Sequence, residues 1–298
     1  MTYVSMDNVR VRVEQLKSIQ SVPAILIPLL HRLDKPTEDV DIQKVVELIA
    51  HDNSLAAQTL HMANSPLYGR RQTIGTVRGA VLALGVSRVR EIATACCVLN
   101  LLPQDIGSID PRVFWEHSLG CALVSRRFAR KIGFAEPEKA YLAGLLHDLG
   151  FLVNLLVLRD EFRAVAALAY STRIPLEEAE ARLLGFTHGF TGDLLAEAWD
   201  LGSEIKEVIR RHHQVERATS HRSLVALVSL SDLLCRTCGL GYGYTEALQV
   251  DSTREYGWQV LMQEHPALAR FDWFTFAHEL DAYVKEVRQL VAVLFRIS

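Results

Sequence analysis

One apolar stretch of the sequence ends in a histidine and an aspartate: Tyr141-Leu142-Ala143-Gly144-Leu145-Leu146-His147-Asp148. The residues before the pair carry no charge, so this part of the chain is expected to lie in a protein core. A carboxylate is costly to bury unless it is paired with a cation or bound to a metal. Asp148 is therefore a candidate functional residue in an otherwise apolar region.

Apolar residues recur at the helical spacing along most of the chain. Val45, Leu48 and Ile49 lie three and four positions apart, and the segment from Ile205 to His212 repeats this pattern. We find no sustained strand-type alternation, so the predicted fold class is all-α, a two-lobed helical bundle. Residues 102–111 contain two prolines and a glycine. We expect one helical lobe over residues 1–102 and a larger lobe over residues 110–298.

Further histidines and an aspartate lie on the apolar faces of predicted helices. His117 is in phase with Phe114 and Cys121, and Asp232 is in phase with Val225 and Val228. His212 continues the apolar face of the helix before it, and His188 begins another predicted helix. Facing helices of a bundle build metal sites from such inward imidazoles and carboxylates. Mixed ligands of this kind suit Fe, Mn or Zn. The alternative is that each residue is a hydrogen-bonded core residue or a helix cap.

Composition excludes several classes of protein. The 298 residues include 32 basic and 35 acidic ones, a net charge of −3 that gives no reason to expect nucleic-acid or membrane binding. A hydrophobic content of 49% argues against disorder. The first residues show no apolar signal-peptide core, and an odd number of cysteines within apolar stretches favours reduced thiols. We expect a cytoplasmic location.

The order of these residues resembles the HD superfamily of metal-dependent phosphohydrolases, and within it the HDOD group, which is related to the HD-GYP phosphodiesterases. Two N-terminal segments strengthen the resemblance: Leu48-Ile49-Ala50-His51-Asp52-Asn53-Ser54-Leu55 and Ala63-Asn64-Ser65-Pro66-Leu67-Tyr68-Gly69. The segment Ile74–Gly85 is also similar to the HDOD signature. The resemblance extends over roughly residues 15–245, and it implies an HD-like C-terminal lobe with a His/Asp metal site.

The resemblance also implies roles for individual residues. A first divalent ion would be held by His117, His147, Asp148 and Asp232. A second would add His188 and His212, with Asp148 bridging, and His213 is a further ligand or a donor to substrate. One or two ions of Fe, Mn, Zn or Mg are expected. Asp148 and Arg211 are the candidate catalytic residues, since a cation beside the metals could hold a substrate phosphate.

Two departures from the HD-GYP pattern leave the activity open. Phe151 stands where a lysine is expected three residues after the HD aspartate, and no Gly-Tyr-Pro loop follows His213. One hypothesis is a phosphohydrolase acting on a nucleotide or another phosphoester. The other is a non-catalytic regulatory scaffold with a structural or vestigial metal site. Either way, the resemblance implies a role in signal transduction, with a ligand or a signalling protein partner as its input.

Three weaker motifs are assigned structural roles. Cys235-x-x-Cys238 lacks a second pair for zinc and is interpreted as helix cysteines. The glycine-rich run Gly239-Leu240-Gly241-Tyr242-Gly243-Tyr244 is predicted to be a turn, since no strand precedes it. Asn64 and Ser65 are predicted to form a structural corner between helices, with side chains that bond the backbone.

Overall fold

A computed structural model describes residues 6–16, 41–65, 73–99, 110–247, 251, 253–265, 268 and 270–294. Within these ranges the structure contains helices and no β-strand, which confirms the all-α prediction. A short 3₁₀ turn covers Val215–Arg217. The helices are α1 (Met6–Leu16), α2 (Ile42–Ala50), α3 (Asn53–Ala63), α4 (Val77–Leu84), α5 (Val86–Leu99), α6 (Pro111–Lys131), α7 (Pro137–Leu146), α8 (Leu149–Val157), α9 (Arg159–Thr172), α10 (Leu176–Leu184), α11 (His188–Ala198), α12 (Ser203–Arg211), α13 (Arg222–Thr237), α14 (Tyr256–Glu264) and α15 (Trp273–Leu294).

Short polar side chains begin several of these helices. Asp41, Asp52 and Thr76 accept hydrogen bonds from backbone N–H groups in the first turns of α2, α3 and α4. Asp52 is therefore the N-cap of α3. Gly185 ends α10 at φ +79°, in the left-handed region that glycine adopts without steric cost.

The chain forms two compact units. The larger contains residues 1–19 and 104–281, and the smaller contains residues 20–103 and 282–298. Neither unit is continuous in sequence, since α1 groups with the larger unit and the last turns of α15 group with the smaller one.

Close packing of glycines shapes the larger unit around the histidine-aspartate pair. A Cβ atom added to Gly144 would lie 2.7 Å from the carbonyl oxygen of Cys121 on α6. One added to Gly150 would lie 1.7 Å from the carbonyl oxygen of His188 on α11. Side chains at these positions would push the helices apart. The glycines on either side of the pair therefore let α6 and α11 approach it.

The smaller unit contains the corner at Asn64. The Asn64 side chain donates hydrogen bonds to the carbonyl oxygens of Leu60, at 2.8 Å, and Ile74, at 2.9 Å. Its own carbonyl oxygen accepts from the N–H of Ile74 at 2.7 Å. Asn64 thus joins the end of α3 to the segment that enters α4, as the sequence predicts for a structural corner. Residues 66–72, which complete the family-like motif, lie outside the described residues.

One stretch, residues 137–157, is long and apolar enough to cross a membrane, with a mean hydropathy of 1.6. It comprises α7, the turn with His147 and Asp148, and α8. Within the fold 89% of its apolar window is buried. Its hydropathy is accounted for by its place in the core of the larger unit.

Candidate metal centre

Six of the predicted site residues meet inside the larger unit, and each side chain is at most 1% exposed. They come from different elements. His117 is on α6, His147 and Asp148 form the turn between α7 and α8, His188 opens α11, His212 ends α12, and Asp232 is on α13. We call these six residues the His/Asp cluster.

One half of the His/Asp cluster surrounds His117. Its Nε2 atom lies 3.2 Å from His147 Nε2, 3.2 Å from Asp232 Oδ1 and 3.4 Å from Asp148 Oδ2. Cys121 Sγ lies 3.8 Å from the same nitrogen. One nitrogen and two carboxylate oxygens that can act as metal ligands therefore surround His117 Nε2. We call such nitrogen and oxygen atoms donors.

The other half surrounds the second oxygen of Asp148. His188 Nε2 lies 3.3 Å and His212 Nε2 3.5 Å from Asp148 Oδ1. The two Nε2 atoms are 3.2 Å apart. His147 Nε2 lies 3.5 Å from the same oxygen. Asp148 thus stands between two groups of donors, and its two oxygens face different histidines.

Hydrogen bonds to the outer nitrogens orient the imidazoles. The Nδ1 atoms of His117, His147 and His212 lie 2.6, 2.7 and 3.0 Å from the carbonyl oxygens of Leu240, Gly144 and Val208. Carbonyl oxygens only accept, so we assign the proton of each ring to Nδ1. The Nε2 lone pairs then point into the cluster, as metal-ligating histidines require.

A buried carboxylate fixes the fourth imidazole. Glu180 Oε2 accepts from His188 Nδ1 at 2.7 Å and from the His188 backbone N–H at 2.8 Å. Its other oxygen accepts from Asn154 Nδ2 at 2.9 Å. Such a carboxylate–histidine pair raises the basicity of the ring as a ligand. Glu180 is not among the residues predicted from the sequence, although a glutamate between Ala179 and Ala181 in an amphipathic helix is a detectable signal.

Some buried polar atoms of the cluster have no hydrogen-bond partner. Asp148 Oδ1 and Asp232 Oδ1 are fully buried and accept no hydrogen bond. Neutral His117 and His147 would place two lone pairs against each other at 3.2 Å. A cation inside each group of donors removes both problems at once. The donor set of imidazole nitrogens and carboxylate oxygens therefore fits a divalent metal.

The electrostatics of the cluster show the same demand for positive charge. Burial lowers the pKa of His117, but Asp148 and Asp232 outweigh it and raise the pKa to about 10. Burial lowers the pKa of His147 to about 4. Burial also opposes ionisation of Asp148, yet the surrounding histidines hold its pKa well below the usual range. In the metal-free protein, a proton is therefore bound to the Nε2 lone pair of His117. A metal ion would have to displace this proton in order to bind.

Two arginines near the cluster have different partners. Arg211, the candidate cation of the sequence analysis, donates to Gln214 at 3.1 Å. Among the described residues, Arg236 is the one whose guanidinium contacts a cluster carboxylate. Arg236 Nη2 lies 3.3 Å from Asp232 Oδ2, and Nη1 lies 2.9 Å from Glu246. Arg236 follows Asp232 by four residues on α13, the spacing of a helical ion pair. That spacing was the available signal for it.

His213 lies at the edge of the cluster rather than among its inward nitrogens. Its Nδ1 is 3.7 Å from Asp232 Oδ2 and 3.7 Å from Glu177 Oε1, while its Nε2 is buried without a hydrogen bond. Its atoms can complete a metal-binding group with Asp148, His188 and His212. Both roles considered for it, ligand and donor, remain compatible with this position.

The glycine-rich run after α13 closes over the cluster. It is non-helical, as predicted, with Gly239 and Gly243 at φ +83° and +87°. Its contribution to the site was not predicted from the sequence. Tyr242 donates its hydroxyl to Asp148 Oδ2 at 2.5 Å, and its ring stacks on Phe151 with centroids 5.6 Å apart. Phe151, which replaces the expected lysine, is 1% exposed and makes this wall of the site apolar.

Comparison with known proteins identifies the family. The sequence profile of the HDOD domain matches residues 19–215. An HDOD domain protein of unknown function from Geobacter sulfurreducens is 30% identical, with a TM-score of 0.82 over 97% of this chain and 99% of its own. A candidate phosphohydrolase from Shewanella amazonensis SB2B is 20% identical, with a TM-score of 0.72 over 95% of this chain and 98% of its own. At that identity the second similarity concerns the fold alone.

An uncharacterised protein of Treponema pallidum is 21% identical over 225 residues, which are 75% of this chain and 43% of the relative. The chain thus spans less than half the length of that curated relative. The family profile covers more than half of the chain, and the Geobacter structure matches nearly all of it. The resemblance inferred from the sequence is confirmed: this chain belongs to the HDOD family.

Proposed function

We propose that the His/Asp cluster binds two divalent metal ions and that the protein hydrolyses a phosphoester. His117, His147, Asp148 and Asp232 would hold the first ion. Asp148, His188 and His212 would hold the second, with His213 beside them. The observation that carries this proposal is Asp148, whose two buried oxygens face two different groups of histidine nitrogens.

The donor chemistry narrows the choice of metal. Four imidazoles and two carboxylates form the cluster, and imidazole suits Fe, Mn and Zn, whereas Mg prefers oxygen ligands. We therefore rank Fe, Mn and Zn ahead of Mg. When bound, such ions lower the pKa of a water molecule and offset the charge of a phosphate group.

The chain's own residues would prepare the site for this chemistry. The outer hydrogen bonds of the four histidines keep their Nε2 lone pairs inward. Arg236 offsets the charge of Asp232, and the apolar wall at Phe151 excludes water from one side. The ion pair with Asp232 supports Arg236 as a cation next to the cluster.

A second candidate function is a non-catalytic scaffold with a structural metal. Burial of the cluster favours it, since every cluster side chain is at most 1% exposed and Tyr242 covers Asp148. Phe151 also supplies no charge for a substrate phosphate. In this case the metal would stabilise the larger unit without turnover.

Elemental analysis and an activity panel separate the two functions. The purified protein is analysed for metal and then assayed with phosphomonoesters and phosphodiesters, nucleotides included, in the presence of Mn, Fe, Zn or Mg. Asp148→Asn removes the shared carboxylate, and Asp193→Asn on α11 is the matched control outside the cluster. Turnover lost only in Asp148→Asn supports hydrolysis. Bound metal without turnover supports the scaffold, and absence of metal from both proteins after loading contradicts the proposed centre.

We also propose a role in cytoplasmic signal transduction, with a small ligand or a protein partner as input. Family membership supports the signalling role. Four buried cysteines and one half-buried cysteine, all free, suit a reducing compartment. Cell fractionation tests the location, and crosslinking in the native host, read by mass spectrometry, tests for a protein partner.

A further inference from the structure

A cavity of about 530 Å³ lies next to the His/Asp cluster in the larger unit. Its walls are rich in aromatic rings, contributed by Phe114, Phe151, Tyr170, Tyr242 and Tyr244. This volume falls within the range of small-molecule sites, which are mostly apolar with a few polar groups that fix orientation. The cavity therefore has the size and lining of a ligand site.

The aromatic rings form a continuous stack along one wall. Phe114 and Phe151 have centroids 5.0 Å apart and an interplanar angle of 22°. Phe151 and Tyr242 are 5.6 Å apart at 12°. Because these rings stack on one another, they turn their edges toward the cavity, and ring edges pack favourably against the face of a planar aromatic ligand.

Another part of the lining is one face of α9. Arg163, Ala166, Ala167 and Tyr170 line the cavity at the i, i+3, i+4 and i+7 spacing. The two alanines leave the space open, and Arg163 places a guanidinium at its rim, where its side chain is 56% exposed. Arg163 pairs with Asp160 at 3.4 Å, but the Asp160 side chain is 88% exposed, so a ligand anion can replace it at small cost.

The other charged residue of the lining does not oppose an anion strongly. Asp110 is held by Arg112 through two hydrogen bonds to Oδ2, at 3.0 and 2.7 Å. Its charge is therefore offset locally. The lining as a whole suits a planar aromatic molecule with one acidic group.

Tyr242 connects this cavity to the His/Asp cluster. Its ring is part of the cavity wall, and its hydroxyl donates to Asp148 Oδ2. A positive ion on Asp148 would make that oxygen a weaker acceptor, which loosens Tyr242 and with it the stacking surface. Linkage then requires ligand and metal to weaken each other's binding by the same factor.

We propose that this cavity is an effector site for a planar aromatic acid, coupled through Tyr242 to the metals of the cluster. The binding itself is independent of the proposed function, whereas the coupling rests on it. The site is separate from the six cluster residues, since none of them lines the cavity.

Fluorescence titration with 8-anilinonaphthalene-1-sulfonate, in which a planar naphthalene ring carries one acidic group, tests the site. We expect one bound probe per chain. Ala166→Phe fills the cavity and should weaken binding by about tenfold or more. Ala164→Phe, on the same helix and outside the lining, is the matched control and should bind as the wild type does. Ala167→Phe repeats the test should the first variant fail to fold. Equal affinity in the filled variants and the control would overturn the proposal.

A neutral probe tests the predicted acidic group. Arg163→Gln should lower the affinity for the sulfonate probe by about threefold, the scale of an exposed ion pair. The affinity for neutral N-phenyl-1-naphthylamine should not change. Equal loss for both probes would contradict the role of Arg163.

Titrations with Mn²⁺ test the coupling. In the wild type, Mn²⁺ should weaken binding of the sulfonate probe, and the probe should weaken Mn²⁺ binding by the same factor. Tyr242→Phe keeps the ring but removes the hydroxyl, so both probe binding and Mn²⁺ binding should persist without mutual effect. Coupling retained in Tyr242→Phe, or absent from the wild type, would overturn this part of the proposal. Failure of the wild type to bind Mn²⁺ without any probe would instead contradict the proposed metal centre.

Discussion

Glu180→Gln should weaken binding of the second metal ion while leaving the first nearly unchanged. Glu180 is fully buried and contacts His188 through two hydrogen bonds, to Nδ1 at 2.7 Å and to the backbone N–H at 2.8 Å. Glutamine keeps the shape and one acceptor oxygen but removes the negative charge. Burial lowers the pKa of His188, yet the charges of Glu180 and Asp148 raise it well above the usual value. Without the Glu180 charge, the His188 ring is less basic and becomes a weaker metal ligand.

Loss of such an outer carboxylate lowers metal affinity by about 10–100-fold, or about 1.4–2.7 kcal/mol. The substituted amide also finds a partner, since Asn154 Oδ1 is buried without a hydrogen bond and a flip of the Asn154 amide brings it to the glutamine NH₂. The fold should therefore persist.

Isothermal titration of the metal-free protein with Mn²⁺ measures both binding steps. Glu178→Gln is the matched control, with the same substitution on the same helix, at a residue that pairs with Arg182 on the surface. Of the two variants, only Glu180→Gln should weaken one of the two binding steps. Equal affinities for Glu180→Gln and the wild type would refute the assignment of His188 as a ligand, and a loss of both steps would place the two groups of donors in a single site.

Three further predictions follow from the same contacts. Chelation of the metal should lower the melting temperature of the wild type, since a ligand at a hundredfold excess over its Kd stabilises the fold by about 2.7 kcal/mol; equal melting temperatures after confirmed metal removal would mean that hydrogen bonds alone satisfy the cluster. Asn64→Ala breaks three hydrogen bonds and should lower the free energy of unfolding, measured in urea, by about 2–4 kcal/mol. Its metal content should not change, and Asn53→Ala is the neutral control. Because the pKa of His117 is raised from 6.5 to about 10, its contribution to stability in the metal-free protein is complete below pH 6.5 and is lost as the pH rises toward 10. Metal binding requires the deprotonated ring, so the gap between the melting temperatures of metal-loaded and metal-free protein should widen over this interval; a constant gap would argue that His117 is not a ligand.

The sequence by itself determined which residues turn inward. Helical phase relates each of His117, His212 and Asp232 to the apolar residues of its own helix, and it does so without knowledge of the neighbours. His147 and Asp148 follow from the apolar run before them. The all-α fold followed from the same helical periodicity, because helix formation depends on contacts within a few residues. The family followed instead from the resemblance of the N-terminal motifs and of the histidine and aspartate order to the HDOD group.

Only the tertiary structure decided what stands around these residues. Tyr242 reaches Asp148 across 94 positions of sequence, and Leu240 accepts from His117 across 123. Nothing in the local pattern of a glycine-rich turn specifies such a partner, since the contact depends on how α13 packs against α6 and α7. The choice of Arg236 over Arg211 has the same cause. Both follow apolar helix faces, but the direction of each guanidinium is set by the side chains that the fold brings to it, and the ion pair with Asp232 distinguishes Arg236.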